Sequence, residues 1–377
     1  MNSKERIFLS PPYMSGNELT LINEAFSSNY IAPLGPMVDR FEADFCDYTG
    51  YDHCVALSSG TAALHLALLG IGIKPGDHVW ASTLTFMGSV SPITFCNATP
   101  TFIDSSIDDW NIDLDLLEEN IPIAAKKNEL PKAVLVTDLY GQLCDYPRLQ
   151  KICENYDIKI ISDSAEALGA SCNGSKSLPE ISAYSFNGNK IITTSGGGML
   201  ASNNKSLIDY AKFLSQQARD PVPYYQHTVI GYNYRMSNIL AAIGVAQLQI
   251  LDERINQKKK IYQYYCTQLS DIEGISFMPI AHDRSPNYWL SVMVVDKKTG
   301  IFVEDLRLAL EKENIEARNI WKPMHLQPVF SHCNTIAGRV SEQLFETGIC
   351  LPSGAAMNQQ NQARVIKVIK KAFNKAC

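Results

Sequence analysis

Ile160-Ile161-Ser162-Asp163-Ser164-Ala165-Glu166 is an apolar run that stops on an acid followed by small residues. Its β-branched start predicts a strand over 158–162, and the lack of strict alternation predicts cover on both faces. Such a strand delivers Asp163 to its carboxyl end, where open α/β sheets place their ligands. An acid there can hold a metal, cap a helix or pair with a buried cation.

Working outward, short apolar runs at 54–57, 78–81, 100–103 and 133–137 alternate with helix-length segments such as 61–71 and 146–156. The turn Lys74-Pro75-Gly76-Asp77 separates one helix from the next strand. This repetition predicts an α/β fold with a mostly parallel central sheet flanked by helices. From about Asn238 the pattern changes to a long helix, over 241–251 and on through a charged, solvated stretch to 269. A strand over 287–295 and helices over 303–313 and 361–373 follow. We expect a large domain over 1–250 and a smaller α+β domain over 251–377.

Composition narrows the function classes. A chain of 377 residues, 46% hydrophobic, has material for a sizeable core. Its net charge of −6 argues against general attraction to nucleic acid or anionic lipid, while leaving room for a local phosphate site. No apolar run reaches membrane-spanning length, and Met1-Asn2-Ser3-Lys4-Glu5-Arg6 is not followed by a signal-like apolar stretch. A cytoplasmic protein is expected. The ten cysteines are scattered without a Cys-x-x-Cys pair and read as reduced thiols. His325, His332 and Cys333 lack zinc-ligand spacing, so no metal site is expected.

Three further segments carry candidate chemistry. Ser58-Ser59-Gly60-Thr61-Ala62-Ala63-Leu64 follows a strand and opens an apolar helix, so its backbone N–H groups suit a phosphate. The same residues also read as a plain helix cap. Ser185-Phe186-Asn187-Gly188-Asn189-Lys190 precedes Ile191-Ile192 and, beyond them, three glycines. Close packing of Lys190 would lower its pKa and expose a nucleophilic amine. Gly231-Tyr232-Asn233-Tyr234-Arg235-Met236-Ser237-Asn238 reads as a surface cap or as a binding edge that reaches a neighbouring subunit.

Taken together, Asp163, Ser185-x-x-x-x-Lys190, the upstream Ser-Gly-Thr and the downstream Gly-Tyr-Asn-Tyr-Arg resemble the DegT/StrS-type sugar aminotransferases of the aspartate aminotransferase superfamily. The resemblance runs from Tyr30-Ile31-Ala32-Pro33-Leu34-Gly35-Pro36 to Leu351-Pro352-Ser353-Gly354. Trp321-Lys322-Pro323-Met324-His325-Leu326-Gln327-Pro328 is similar to the branch that aminates UDP-4-keto-6-deoxy-N-acetylglucosamine.

The resemblance implies the type I fold of pyridoxal-phosphate enzymes and assigns roles residue by residue. Lys190 is implied to bond covalently to pyridoxal 5′-phosphate, and Asp163 to pair with its ring nitrogen. Gly60, Thr61 and Ser185 are implied to hold the phosphate, with Asn233 contributed by a neighbouring copy. Phe86 matches the aromatic that stacks on the ring, and Glu166 a position near its phenolic oxygen. Tyr30, Ile31, Ala32, Pro33, Asn187, Trp321, Lys322 and His325 are the implied substrate contacts. L-glutamate is the implied amino donor, a nucleotide-linked keto sugar the acceptor, and pyridoxamine 5′-phosphate the cofactor form entering the second half-reaction. A homodimer with shared sites follows. A dTDP-linked acceptor, aminated at C3 or C4, is the alternative within the family. A related sugar dehydratase carries histidine where this chain has Lys190, and a non-turnover cofactor-binding scaffold is the reading from another class.

Overall fold

The computed structural model describes residues 5–174, 179–336 and 338–374. Eight strands form the main sheet, in the spatial order His53–Leu57, Gly198–Ser202, Ile181–Ser185, Lys159–Asp163, Ala133–Thr137, His78–Ser82, Thr99–Ile103 and Thr335–Ile336. Gly198–Ser202 runs antiparallel to both its neighbours, and every later pairing is parallel. The expected mostly parallel sheet flanked by helices is therefore present.

Two helices are apolar on every side because they are enclosed on every side. Gly60–Gly70 packs beneath the sheet with eight buried residues, and Asn238–Leu248 packs between the helices Glu18–Ser27 and Pro36–Thr49. Each starts at a serine whose hydroxyl accepts an early helix N–H: Ser59 from Ala62 and Ser237 from Leu240. Tyr146–Glu154 begins the same way, with Asp145 accepting from Arg148 N–H and Pro147 in the first turn.

A second, four-stranded antiparallel sheet has the order Arg318–Asn319, Gly348–Leu351, Ser291–Val295 and Ile275–Phe277. The helices Val303–Lys312 and Gln359–Phe373 cover it. Two segments cross the division expected at 250/251. Ile7 pairs with Ile315, and Thr335–Ile336 adds an edge strand to the large sheet.

Two boundaries differ from the sequence reading. The long helix expected across 241–269 is two helices, Asn238–Leu248 and Leu251–Leu269, broken at Gln249 and Ile250. The strand expected over 287–295 starts only at Ser291. Asn287 instead turns inward, donating to the carbonyls of Glu166 and Leu168 and accepting from Trp289 N–H. Nine cysteines among the described residues are free thiols, and Cys377 lies outside them. Among the described residues no helix is long and apolar enough to cross a membrane.

Candidate active site

The carboxyl ends of neighbouring strands bring the candidate residues to one edge of the main sheet. Asp163 and Ser185 are the last residues of their strands, and Leu57 leads directly into Ser58, Ser59 and Gly60. In register, Leu57 and Ser185 both face Gly198. A Cβ on Gly198 would lie 2.3 Å from the Ser59 carbonyl carbon and 2.5 Å from Gly60 N, so glycine lets the helix start press onto the strand. A Cβ on Gly60 would stand 3.0 Å from Ser185 Cβ, and one on Gly88 would touch both Phe86 and Thr61 Oγ1. Gly60, Thr61, Ser185 and Phe86 thus surround one small space. The first N–H groups of the helix, at Gly60 and Thr61, have no intrahelical partner and suit an anion.

Asp163 lies behind this space, 5% exposed. It accepts a hydrogen bond from Ser89 Oγ and another from Ala165 N–H at 3.1 Å. Ser89 shares a hydrogen bond with Thr85, which in turn accepts from Thr137. Burial pushes the Asp163 carboxyl above its ordinary value, while Ser89, Lys190 and Ala165 N–H pull it back. A cation placed beside it would offset that burial.

Lys190 reaches the same space from the loop after Ser185. Its side chain is 12% exposed, with Nζ 3.9 Å from Glu166 Oε1 and 4.2 Å from the centre of the Trp289 ring. Burial lowers the Lys190 pKa, and Glu166 and Asp163 offset this only in part. Glu166 is pushed the other way, up to about 7, chiefly by burial. Its Oε2 accepts from Tyr140 N–H at 2.7 Å and its Oε1 from Trp321 Nε1 at 3.2 Å. A poorly hydrated amine beside a carboxyl that titrates near neutrality is suited to taking and returning protons.

Aromatic rings from distant parts of the chain wall this amine. Tyr140 stacks between Trp289 and Trp321, 6.2 Å from each, and Phe86 leans on Trp321 at 5.3 Å. Tyr140, Trp289, Ser89 and Asn287 are members of the site that sequence reasoning missed. Tyr140 had a signal, since it follows the carboxyl end of the strand Ala133–Thr137. Trp289 had none, because its segment read as strand.

The remaining sequence candidates lie further out. Asn187 is exposed and its carbonyl accepts from Lys190 N–H at 3.0 Å. Lys322 is half-buried beside Trp321. His325 directs Nδ1 to Thr83 Oγ1 at 2.6 Å and Nε2 to Glu342 at 3.3 Å. Tyr30, Ile31, Ala32 and Pro33 form an exposed loop held by Asn238, whose amide donates to Tyr30 O and accepts from Met37 and Val38 N–H. Pro33 and Asn233 line a cleft of about 550 Å³ together with Arg219 and Gln217. The neighbouring Arg235 is structural, paired with Glu42 at 2.7 Å and bonded to Ala56 O.

The whole arrangement fits a phosphorylated aromatic group: N–H groups and hydroxyls for a phosphate, an exposed ring at Phe86, a buried acid and a buried amine. The comparisons with known proteins agree. EpsN of Bacillus subtilis (strain 168), named for a pyridoxal phosphate-dependent aminotransferase, is 45% identical, with 98% of this chain and 96% of that protein covered. GDP-perosamine synthase of Caulobacter vibrioides is 33% identical, with 98% and 99% covered. The crystal structure of a DegT DnrJ EryC1 StrS aminotransferase from Brucella abortus superposes with a TM-score of 0.87 at 26% identity, covering 94% of this chain and 95% of that one. The model of the DegT/DnrJ/EryC1/StrS aminotransferase family matches residues 12–370, and this chain belongs to that family.

Proposed function

We propose that this aminotransferase moves an amino group from L-glutamate to the C4 keto carbon of a UDP-linked 4-keto-6-deoxy-N-acetylhexosamine. The observation that carries the chemistry is the buried Lys190 amine, 3.9 Å from Glu166 and 4.2 Å from the Trp289 ring centre. The sugar assignment rests on the segment from Trp321 to Pro328, whose indole and backbone lie against Glu166 and Tyr140.

The residues fit pyridoxal phosphate. Gly60, Thr61 and Ser185 would hold its phosphate, Phe86 its ring face, Asp163 its ring nitrogen and Glu166 its phenolic side. When bound, it supplies an electron-accepting ring that makes the C–H bond next to the migrating nitrogen acidic. Lys190 performs the proton transfers. Its Nζ takes the proton from the glutamate α-carbon in the first half-reaction and delivers one to the sugar carbon in the second. Burial serves both steps, because a lysine with a lowered pKa is unprotonated often enough to act as base. The Trp289, Tyr140 and Trp321 rings exclude water from that amine, which strengthens its interactions with Asp163 and Glu166.

We further propose a homodimer. Tyr225 and Ile230 are 82% and 85% exposed, and Ile31 and Leu34 also face outward. Apolar side chains so placed are expected to be covered, and a two-fold partner would bring Asn233 and the Tyr30–Pro33 loop to the site of the other copy. A cytoplasmic location accompanies this reading.

The substrate is tested by supplying L-[¹⁵N]glutamate and pyridoxal phosphate with UDP-, dTDP- or GDP-linked 4-keto-6-deoxy sugars, and following ¹⁵N into the sugar by mass spectrometry. Preferred labelling of the UDP-linked N-acetyl acceptor supports the proposal. Preferred labelling of a dTDP- or GDP-linked sugar replaces the acceptor, and no labelling of any sugar favours a scaffold without turnover.

A further inference from the structure

Lys258, in the helix Leu251–Leu269, is buried to 3% exposure, and the charged group acting on it is another cation, Arg254. Among the described residues no carboxylate pairs with it, and burying an ammonium without a counter-ion is costly. What the lysine offers is three donors, and three acceptors meet them. These are Ser353 O at 2.9 Å, Trp289 O at 3.1 Å and Ser10 Oγ at 3.4 Å. Each belongs to a different segment. Ser353 follows the strand Gly348–Leu351, Trp289 precedes the strand Ser291–Val295, and Ser10 lies on the N-terminal arm.

Two of the three segments go on to meet at a single atom. The Asn189 carbonyl oxygen accepts from Trp289 Nε1 at 2.8 Å and from Ser10 Oγ at 3.1 Å. That carbonyl belongs to the residue before Lys190, and the Trp289 ring is the surface over which Lys190 Nζ rests. The arm is fixed independently, since Ser353 N–H donates to Leu9 O.

We propose that Lys258 is a positioning residue for Lys190: by tying Trp289, Ser10 and Ser353 together it sets the ring and the loop between which the reactive amine lies. The inference rests on the reading of Lys190 as that amine. It acts through Trp289 and Asn189 and does not itself touch the reacting atoms.

Three variants of the pyridoxal-phosphate-loaded protein test this: Lys258→Met, Lys258→Arg and Ser10→Ala. Two properties are read: the pH midpoint of the visible band given by cofactor bonded to Lys190, and kcat separately from KM for the sugar nucleotide. A small misplacement of a reacting group costs up to about 100-fold, so Lys258→Met is expected to lower kcat about 10- to 100-fold with KM little changed. The band midpoint should move in the same variant. Lys258→Arg should restore most of both, and Ser10→Ala should move both in the same direction by less. A folded Lys258→Met protein with the wild-type midpoint and kcat overturns the proposal, even if its melting temperature falls. If Lys258→Met does not fold, Ser10→Ala decides, and wild-type values there overturn it. Should Lys190→Ala keep normal turnover, the reading of Lys190 fails instead, a result separate from either outcome at Lys258.

Discussion

Lys190 and Trp289, almost one hundred residues apart in the chain, meet with the amine 4.2 Å from the centre of the indole ring. The ring stabilises a cation placed over it, whereas the burial it creates disfavours one. Burial prevails, because the net shift of the Lys190 pKa is downward. A lysine so held lies beside the sheet edge where the N–H groups of Gly60 and Thr61 and the Asp163 carboxyl converge, which suits it to the role of base proposed above.

Replacing Lys190 by alanine or arginine is expected to remove the proton transfers and the covalent anchor together. Turnover should fall by at least about 10²- to 10⁴-fold, the usual worth of a positioned acid–base group. The fold should persist, as judged by circular dichroism and thermal melting, because among the described residues Lys190 makes no other close ion pair than Glu166.

Glu166→Gln tests the electrostatics through stability. In the folded protein the Glu166 carboxyl keeps its proton up to about pH 7, against an ordinary value of 4.5. The fold therefore binds more protons than the unfolded chain between those values, and wild-type stability falls as pH rises through that window. The glutamine variant lacks this loss. Denaturant melts of cofactor-free protein should match near pH 4.5 and favour the variant by about 1–3 kcal/mol at pH 8. A difference that is constant with pH would contradict the assignment.

Much of this is legible in the amino-acid sequence. The strand ending at Asp163 and the Ser59 cap leading into Gly60 and Thr61 are local features, written in apolar runs and capping residues. Trp289 and Asn287 could not be read that way. Their segment looks like the beginning of the strand Ser291–Val295, and their inward turn depends on contacts with Gly141, Glu166 and Leu168, far away in sequence. Tyr140 follows a strand end, which marks its position, but its conformation was not legible. It adopts a left-handed backbone, φ 49°, which tertiary packing imposes and local propensity does not foretell.

Gly198→Ala is expected to fail by contact. Its added methyl would overlap the Ser59 carbonyl and Gly60 N, both backbone atoms. Overpacking of this kind costs about 1–3 kcal/mol, and the displaced helix start should also weaken retention of pyridoxal phosphate. Equilibrium dialysis of the cofactor together with a melting curve separates the two effects. Alanine without loss of either would show that the helix start is free to move.

Asn238→Ala releases the Tyr30–Pro33 loop. Its amide holds Tyr30 O and the N–H groups of Met37 and Val38; alanine takes the Asn238 acceptor from the buried Met37 N–H, while Val38 N–H keeps Gly35 O at 3.0 Å. A stability loss of about 1–3 kcal/mol is expected. If the loop contacts the sugar nucleotide, KM for that substrate should rise several-fold while the glutamate half-reaction is unaffected. Stopped-flow of each half-reaction distinguishes them.

Whether Lys190 is the reactive amine is read most directly from the visible absorbance of the pyridoxal-phosphate-loaded protein. L-glutamate is added first and UDP-4-keto-6-deoxy-N-acetylglucosamine second. The expected result is a band that bleaches with glutamate and returns with the sugar, and that is absent from Lys190→Ala at the outset. A protein that shows no such band after supply of pyridoxal phosphate, or a Lys190→Ala variant that bleaches and recovers like the wild type, would contradict it.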